Sequence, residues 1–175
     1  MSTYKQLFIF VEGGDDERFF NKIFIPKFRE KYNLVKIIKY ATMKKEKIDN
    51  FIKSIKAIKA DYIYLTDINN SPCITAKKEK TQSKYKNIDN DKVIVVVKEI
   101  ESWYLAGLDN KVCKQLKINN LANTDNVTKE KFNAMIPKEF TSRIDFMSEI
   151  LKNFSIKIAK QKNNSFRYFT VKYDY

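Results

Sequence analysis

Four short runs of β-branched and aromatic residues constrain this chain more than any other feature: LFIFV from Leu7 to Val11, LVKII from Leu34 to Ile38, DYIYLT from Asp61 to Thr66, and KVIVVVK from Lys92 to Lys98. The first, continuously apolar, is the pattern of a strand covered on both faces, and the other three read as strands as well. Between the first two runs lies DDERFFNKIFIPKFREKY, in which Phe19, Phe20, Ile23, Phe24 and Phe28 recur at helical spacing and Asp15 and Asp16 suit a helix start. Pro26 predicts a break or kink near the end of that helix. From about Lys44 to Lys59, Ile48, Phe51, Ile52, Ile55 and Ile58 fall on one helical stripe with lysines on the other face. A polar loop from Asp67 through Pro72 and a Lys-rich stretch, KKEKTQSKYK from Lys77 to Lys86, fill the third gap, and helix resumes from about Glu101. Strand alternating with helix in this way predicts an α/β fold built on a roughly four-stranded parallel sheet flanked by helices.

Residues 1–108 form the core on this reading. The remainder, residues 109–175, is helical and polar, with apolar positions at Phe132, Met135, Ile136, Ile144, Phe146, Met147, Ile150, Leu151 and Phe154. That pattern predicts a helical extension of two or three helices packed back on the core. A length of 175 residues suits one ordinary domain with such an appendage. Cys73 and Cys113 lie far apart with no CxxC spacing, so they read as reduced thiols. The opening MSTYKQLFIFVEGG has no small-residue cleavage site, and no segment approaches the ~18 apolar residues of a membrane span. A cytoplasmic location and no membrane contact are expected.

Residue types that are missing narrow the chemistry. The chain has no histidine, which excludes imidazole bases, Ser-His-Asp triads, Cys-His dyads and His-ligated zinc or iron. Three glycines cannot supply a Walker loop or a GxGxxG turn. The 34 Lys and Arg against 21 Asp and Glu give a formal charge of +13, a field that attracts polyanions, with nucleic acid first among them. A compositional bias towards Lys, Asn and Ile accounts for the same excess and stays open beside that reading.

In a parallel sheet, residues just past the carboxyl ends of the strands converge on one edge. Glu12 follows the first run, Asp67 the third, and Glu99 and Glu101 the fourth. Carboxylates gathered there repel one another unless a cation or protons neutralise them, and Mg²⁺ or Mn²⁺ favours such oxygen ligands. Gly13 and Gly14 lie between the first acid and the first helix, where backbone turns sharply or lies against a ligand and amide groups at a helix start can receive a phosphate. A tight strand-to-helix turn capped by Asp15 or Asp16 explains the same pair.

These residues carry a family resemblance. FVEGGDDERFF resembles the first motif of Toprim domains, the catalytic module shared by topoisomerases, bacterial-type primases and nucleases of the overcoming-lysogenization-defect family. LTDINNSPC is similar to their Asp-x-Asp motif. VVVKEIESWYLAG resembles the fourth-strand segment of small stand-alone Toprim-like proteins, and NNSFRYF is similar to a Ser-Phe-Arg ending in that group. The resemblance spans most of the chain in outline, on short motifs. It implies a Toprim-like core and a metal-dependent nuclease acting on nucleic-acid phosphodiesters, in phage defence or nucleic-acid processing, with Mg²⁺ or Mn²⁺ as cofactor. It also implies that Glu12 is the general acid/base or metal-proximal carboxylate and Asp67 the principal metal ligand.

The chain departs from the pattern at Asn69, which replaces the second acid of Asp-x-Asp and offers a carbonyl oxygen without charge. Glu99 as a ligand or Glu101 as a catalytic carboxylate would then complete the site, and Asn70 is equally placed as an outer ligand. Two further readings share the resemblance: a non-catalytic module that binds nucleic acid or protein beside a separate ATPase partner, and a nucleotidyl transferase using the same metal.

Other residues suit polyanion contact. Gly13, Gly14, Lys77, Lys78, Lys80 and Arg167 are the expected nucleic-acid-binding set, with Lys84 and Lys86 on the same Lys-rich stretch; a solvated helix face is the alternative for the lysines. From Leu151 to Tyr173 the chain has five lysines and Arg167, no acid, and the aromatics Phe154, Phe166, Tyr168 and Phe169. Basic and aromatic residues interleaved in this way suit a single strand, although packing against the core is the more economical role for those rings. Arg167 beside Ser165 is a candidate for the site edge. Trp103 and Tyr104 read as core rather than as a base-stacking pair.

Overall fold

Gln6–Val11 forms strand β1, in which Leu7 through Val11 are all buried, as an uninterrupted apolar run requires when both sheet faces are covered. The structure is a computed structural model and describes residues 4–175. Helix α1 (Gly14–Ile23) follows, and Phe24 separates it from α2 (Ile25–Lys31). Pro26 therefore produces the expected interruption. Its ring is tolerated only in a first helical turn, and it sits at the start of α2. The chain continues through β2 (Leu34–Lys39), α3 (Lys45–Ala57), β3 (Asp61–Asp67), α4 (Ile74–Lys84), a 3-10 turn at Asn90–Lys92 and β4 (Val93–Val96).

The strands form one parallel sheet of four, in the order β2-β1-β3-β4. β1 pairs with β2 from Gln6↔Leu34 to Val11↔Lys39, and with β3 from Leu7↔Asp61 to Phe10↔Tyr64. This is the α/β architecture that the alternation of patterns predicts. Alternate residues of β1 and β3, Phe8, Phe10, Tyr62 and Tyr64, build one core layer with Ile48, Ile52 and Ile55 of α3 and with Tyr85, Ile88, Val93 and Val95. In α1 and α2, Phe19, Phe20, Phe24 and Phe28 are buried and pack ring against ring.

The fourth strand is shorter than KVIVVVK suggests. It stops at Val96 because Lys98 adopts a left-handed backbone, φ 63°, which no strand can contain. The chain divides into two units, Met1–Val95 and Val96–Tyr175. The division falls ahead of α5 (Glu101–Ala106) rather than after Leu108, because α5 packs against helices later in the chain.

The second unit continues with α6 (Asn110–Gln115), α7 (Lys129–Ala134), α8 (Arg143–Lys152), α9 (Ile156–Lys162) and α10 (Asn164–Lys172). Five short helices thus follow Leu108 where the apolar spacing suggests two or three. Side-chain caps divide the segment: Asp109, Thr128, Ser142, Ser155 and Asn163 each accept a hydrogen bond from a backbone amide in the first turn of the helix they precede. Every residue of α5 is buried. Trp103 meets Phe166 edge-on at 5.3 Å between ring centres and lies 5.5 Å from Phe169. Its indole nitrogen donates to Ser165 Oγ at 2.8 Å, and Ser165 donates to Asn163 Oδ1 at 2.8 Å. The Asn163 amide in turn donates to Ser102 and Thr124, so the polar groups in this core are paired with one another.

Candidate functional site

Strand order brings Glu12 and Asp67 to the same edge of the sheet. β1 and β3 are neighbours, and their register places Glu12 level with Thr66, one residue short of Asp67. Both acids are half-buried. The chain leaving β2 is tied to the same edge, with the Tyr40 amide donating to Val11 O and the Ala41 amide to Glu12 O.

Lys77 is the fourth residue of α4, the helix that follows the loop leaving Asp67. Its ammonium is half-buried, and burial holds it below the usual lysine range; Glu12 and Asp67 pull it back up, while Lys80 and Lys84 push it down. The two acids themselves are brought side by side by the pairing of β1 with β3, and both act on this one ammonium.

A tyrosine column lies beneath them. Tyr40 stacks on Tyr64 at 4.7 Å and donates its hydroxyl to Leu65 O at 2.9 Å, and Tyr64 donates to the Tyr85 hydroxyl at 3.3 Å. Burial raises the Tyr40 phenol well above the ordinary tyrosine value, and the charges of Glu12 and Asp16 add to the shift. Tyr40 stays a neutral donor that fixes the backbone leading to Asp67. It is the first residue past β2, so the rule that strand ends gather at one edge applies to it as it does to the acids.

The loops at this edge have their own geometry. Asn69 has φ 49°, a left-handed conformation that Asn tolerates better than most residues, so the side chain replacing the second acid sits where the backbone favours it. Asn69 and Asn70 are both exposed. Gly13 and Gly14 do not have positive φ. A Cβ at Gly13 would lie 3.9 Å from Asp16 Oδ2, and one at Gly14 would meet nothing within 4 Å. The turn itself therefore does not demand glycine at either position. Asp16 caps α1 by accepting the Gly13 amide at 3.0 Å, and Asp15 pairs with Arg18 at 2.7 Å.

Glu99 and Glu101 belong to the second unit, and each is held there. Glu99 accepts the amide of Lys129 at the start of α7, where the helix dipole favours an anion. Glu101, buried at 4 % exposure, forms an ion pair with Arg143, which also donates to Asn133 at 2.8 Å and lies over the Phe132 ring. Among the described residues, no three His, Cys, Asp or Glu side chains form a metal-holding group.

The expected basic residues divide as well. Lys77, Lys78 and Lys80 are all on α4, whereas Arg167 is exposed on α10 and donates to Asn164 at 2.6 Å. Ser165, two residues before it, is a core residue bonded to Trp103. Among the described residues no helix is long and apolar enough to cross a membrane. No protein-family model, curated protein or solved structure matches the chain.

Proposed function

We propose that this chain is a Toprim-like, metal-dependent phosphodiesterase that cleaves nucleic acid, with Glu12 and Asp67 as its working carboxylates. The observation that carries the reading is Glu12 and Asp67 brought level to within one residue by the β1–β3 register at the carboxyl edge of a parallel sheet, where such folds place their sites. Two carboxylates with nearby amide carbonyls from Asn69 or Asn70 are a donor set that suits Mg²⁺ or Mn²⁺, since such ions commonly take one or two carboxylates and complete their shell with water and substrate phosphate. When bound, the ion would supply charge neutralisation at the scissile phosphate. Asp67 is the ligand in this scheme. Glu12 holds or releases the proton of the attacking water, Lys77 draws the phosphate in, and Tyr40 keeps the strand end rigid through its bond to Leu65 O.

The test is cleavage of single- and double-stranded DNA and RNA by purified protein with Mg²⁺ or Mn²⁺. Glu12→Gln and Asp67→Ala are each expected to lower the rate by about a hundredfold or more. Undiminished cleavage in either variant overturns the assignment. Asn69 supports a second reading, in which the chain is a non-catalytic nucleic-acid-binding module beside an ATPase partner. Salt-sensitive binding without turnover under any divalent ion would select it.

A further inference from the structure

We propose that Lys77, Lys80 and Lys84 form a rail along one face of α4 that seats the backbone phosphates of one nucleic-acid strand and leads that strand to Glu12 and Asp67. The inference rests on the proposed site and adds how the substrate lies on it.

Positions separated by three and then four residues fall on one side of a helix. At 1.5 Å per residue the row covers about 10 Å, the axial rise of roughly three nucleotides in a stacked strand. Its inner end is fixed by the chain, because α4 begins seven residues after Asp67 at the end of β3 and Lys77 is the fourth residue of that helix, with Glu12 and Asp67 both acting on its ammonium. Lys78, next in sequence, projects about 100° around the helix and lies outside the row.

Folding accounts for one end of the row only, where the Lys84 ammonium lies over the buried Tyr85 ring, 5.1 Å from its centre. α4 buries only Thr81, so its lysines do not fill a core. Three lysines elsewhere in the same unit are matched to acids, Lys39 to Glu17 at 2.7 Å, Lys56 to Asp89 at 2.7 Å and Lys92 to Asp61 at 3.6 Å. Lys45 and Lys53 are unmatched among the described residues but lie on α3, which precedes β3 instead of following Asp67 as α4 does. Lys80 and Lys84 form no ion pair among the described residues, and like charges at these spacings repel one another along the helix. A polyphosphate backbone removes that repulsion and releases the counterions it held. Contacts of this kind read neither base nor sugar, so the rail accepts any strand.

The experiment measures fluorescence anisotropy of a labelled oligodeoxythymidylate of about 20 nucleotides, in EDTA, between about 50 and 200 mM salt. The protein with Lys80→Gln and Lys84→Gln is compared with wild type and with a variant that loses two exposed lysines of α3, Lys45→Gln and Lys53→Gln. On single strands each lost phosphate contact lowers the slope of log affinity against log salt by about 0.7, so the α4 variant is expected to lose about 1.4 and the α3 variant nothing. Equal losses in the two variants, no loss in the α4 variant, or no binding by wild type overturns the rail. The chelator keeps cleavage out of the measurement, so failure of the Glu12 and Asp67 test leaves this result readable on its own.

Discussion

Removing the Arg143 guanidinium should reveal whether Glu101 is a structural carboxylate or one available for chemistry. The Glu101 side chain is 5 % exposed and that of Arg143 23 %. Arg143→Met keeps the apolar stem over Phe132 but strands a buried anion, a change that costs about 3–5 kcal/mol when one partner of a buried pair is lost. The partial exposure of Arg143 places the expected value near the lower end, at about 3 kcal/mol. Replacing both partners, Glu101→Leu with Arg143→Met, removes the stranded charge and should return stability to within about 1 kcal/mol of wild type. The assay is urea unfolding followed by fluorescence of Trp103, the only tryptophan, which lies in the same unit as the pair. If Arg143→Met falls within about 0.5 kcal/mol of wild type, water reaches the carboxylate and the structural assignment is wrong.

Two glycine substitutions should have opposite signs. A Cβ at Gly107 would lie 2.2 Å from the Phe154 ring, so Gly107→Ala is expected to destabilise by about 1–3 kcal/mol, read as a lower urea midpoint. Gly14→Ala meets open space on a helical backbone and should stabilise by about 0.4–1 kcal/mol, while weakening phosphate binding if the backbone there is approached by substrate. Tyr32 donates to Asp61 at 3.0 Å, and burial, with Asp61 adding to it, pushes its phenol from 10.0 up to about 12. Because the folded value is raised, its contribution to stability is complete below pH 10.0 and is lost as pH rises to about 12. A stability difference between wild type and Tyr32→Phe that stays level across that window would contradict the assignment.

Period and punctuation made the first unit legible. Apolar and β-branched runs mark all four strands, although β2, at the edge of the sheet, is only half covered, and Pro26 has few tolerated positions in a helix. Trp103 as core was legible for the same reason, an aromatic opening a short apolar helix. That Glu12 and Asp67 share an edge was legible from topology, since Glu12 directly follows β1 and Asp67 ends β3. Glu99 and Glu101 met the same rule, but their partners, Lys129 and Arg143, lie 30 and 42 residues further along, and no local pattern announces a pairing over that distance. Tyr40 was missed because a tyrosine beside a strand reads as packing until its hydroxyl is seen to bond Leu65 O. The number of late helices was missed because single capping residues, not apolar spacing, decide where those helices begin.

The light anchoring of α4 has a dynamic consequence. A helix that buries only Thr81 is held to its unit by few apolar contacts, so its amides exchange with solvent through local opening, whereas those of the fully buried β1 wait for the whole unit to unfold. A polyanion seated on the lysine row would raise protection along α4 and leave β1 unchanged, which makes this helix the part of the molecule that registers occupancy as a change in motion.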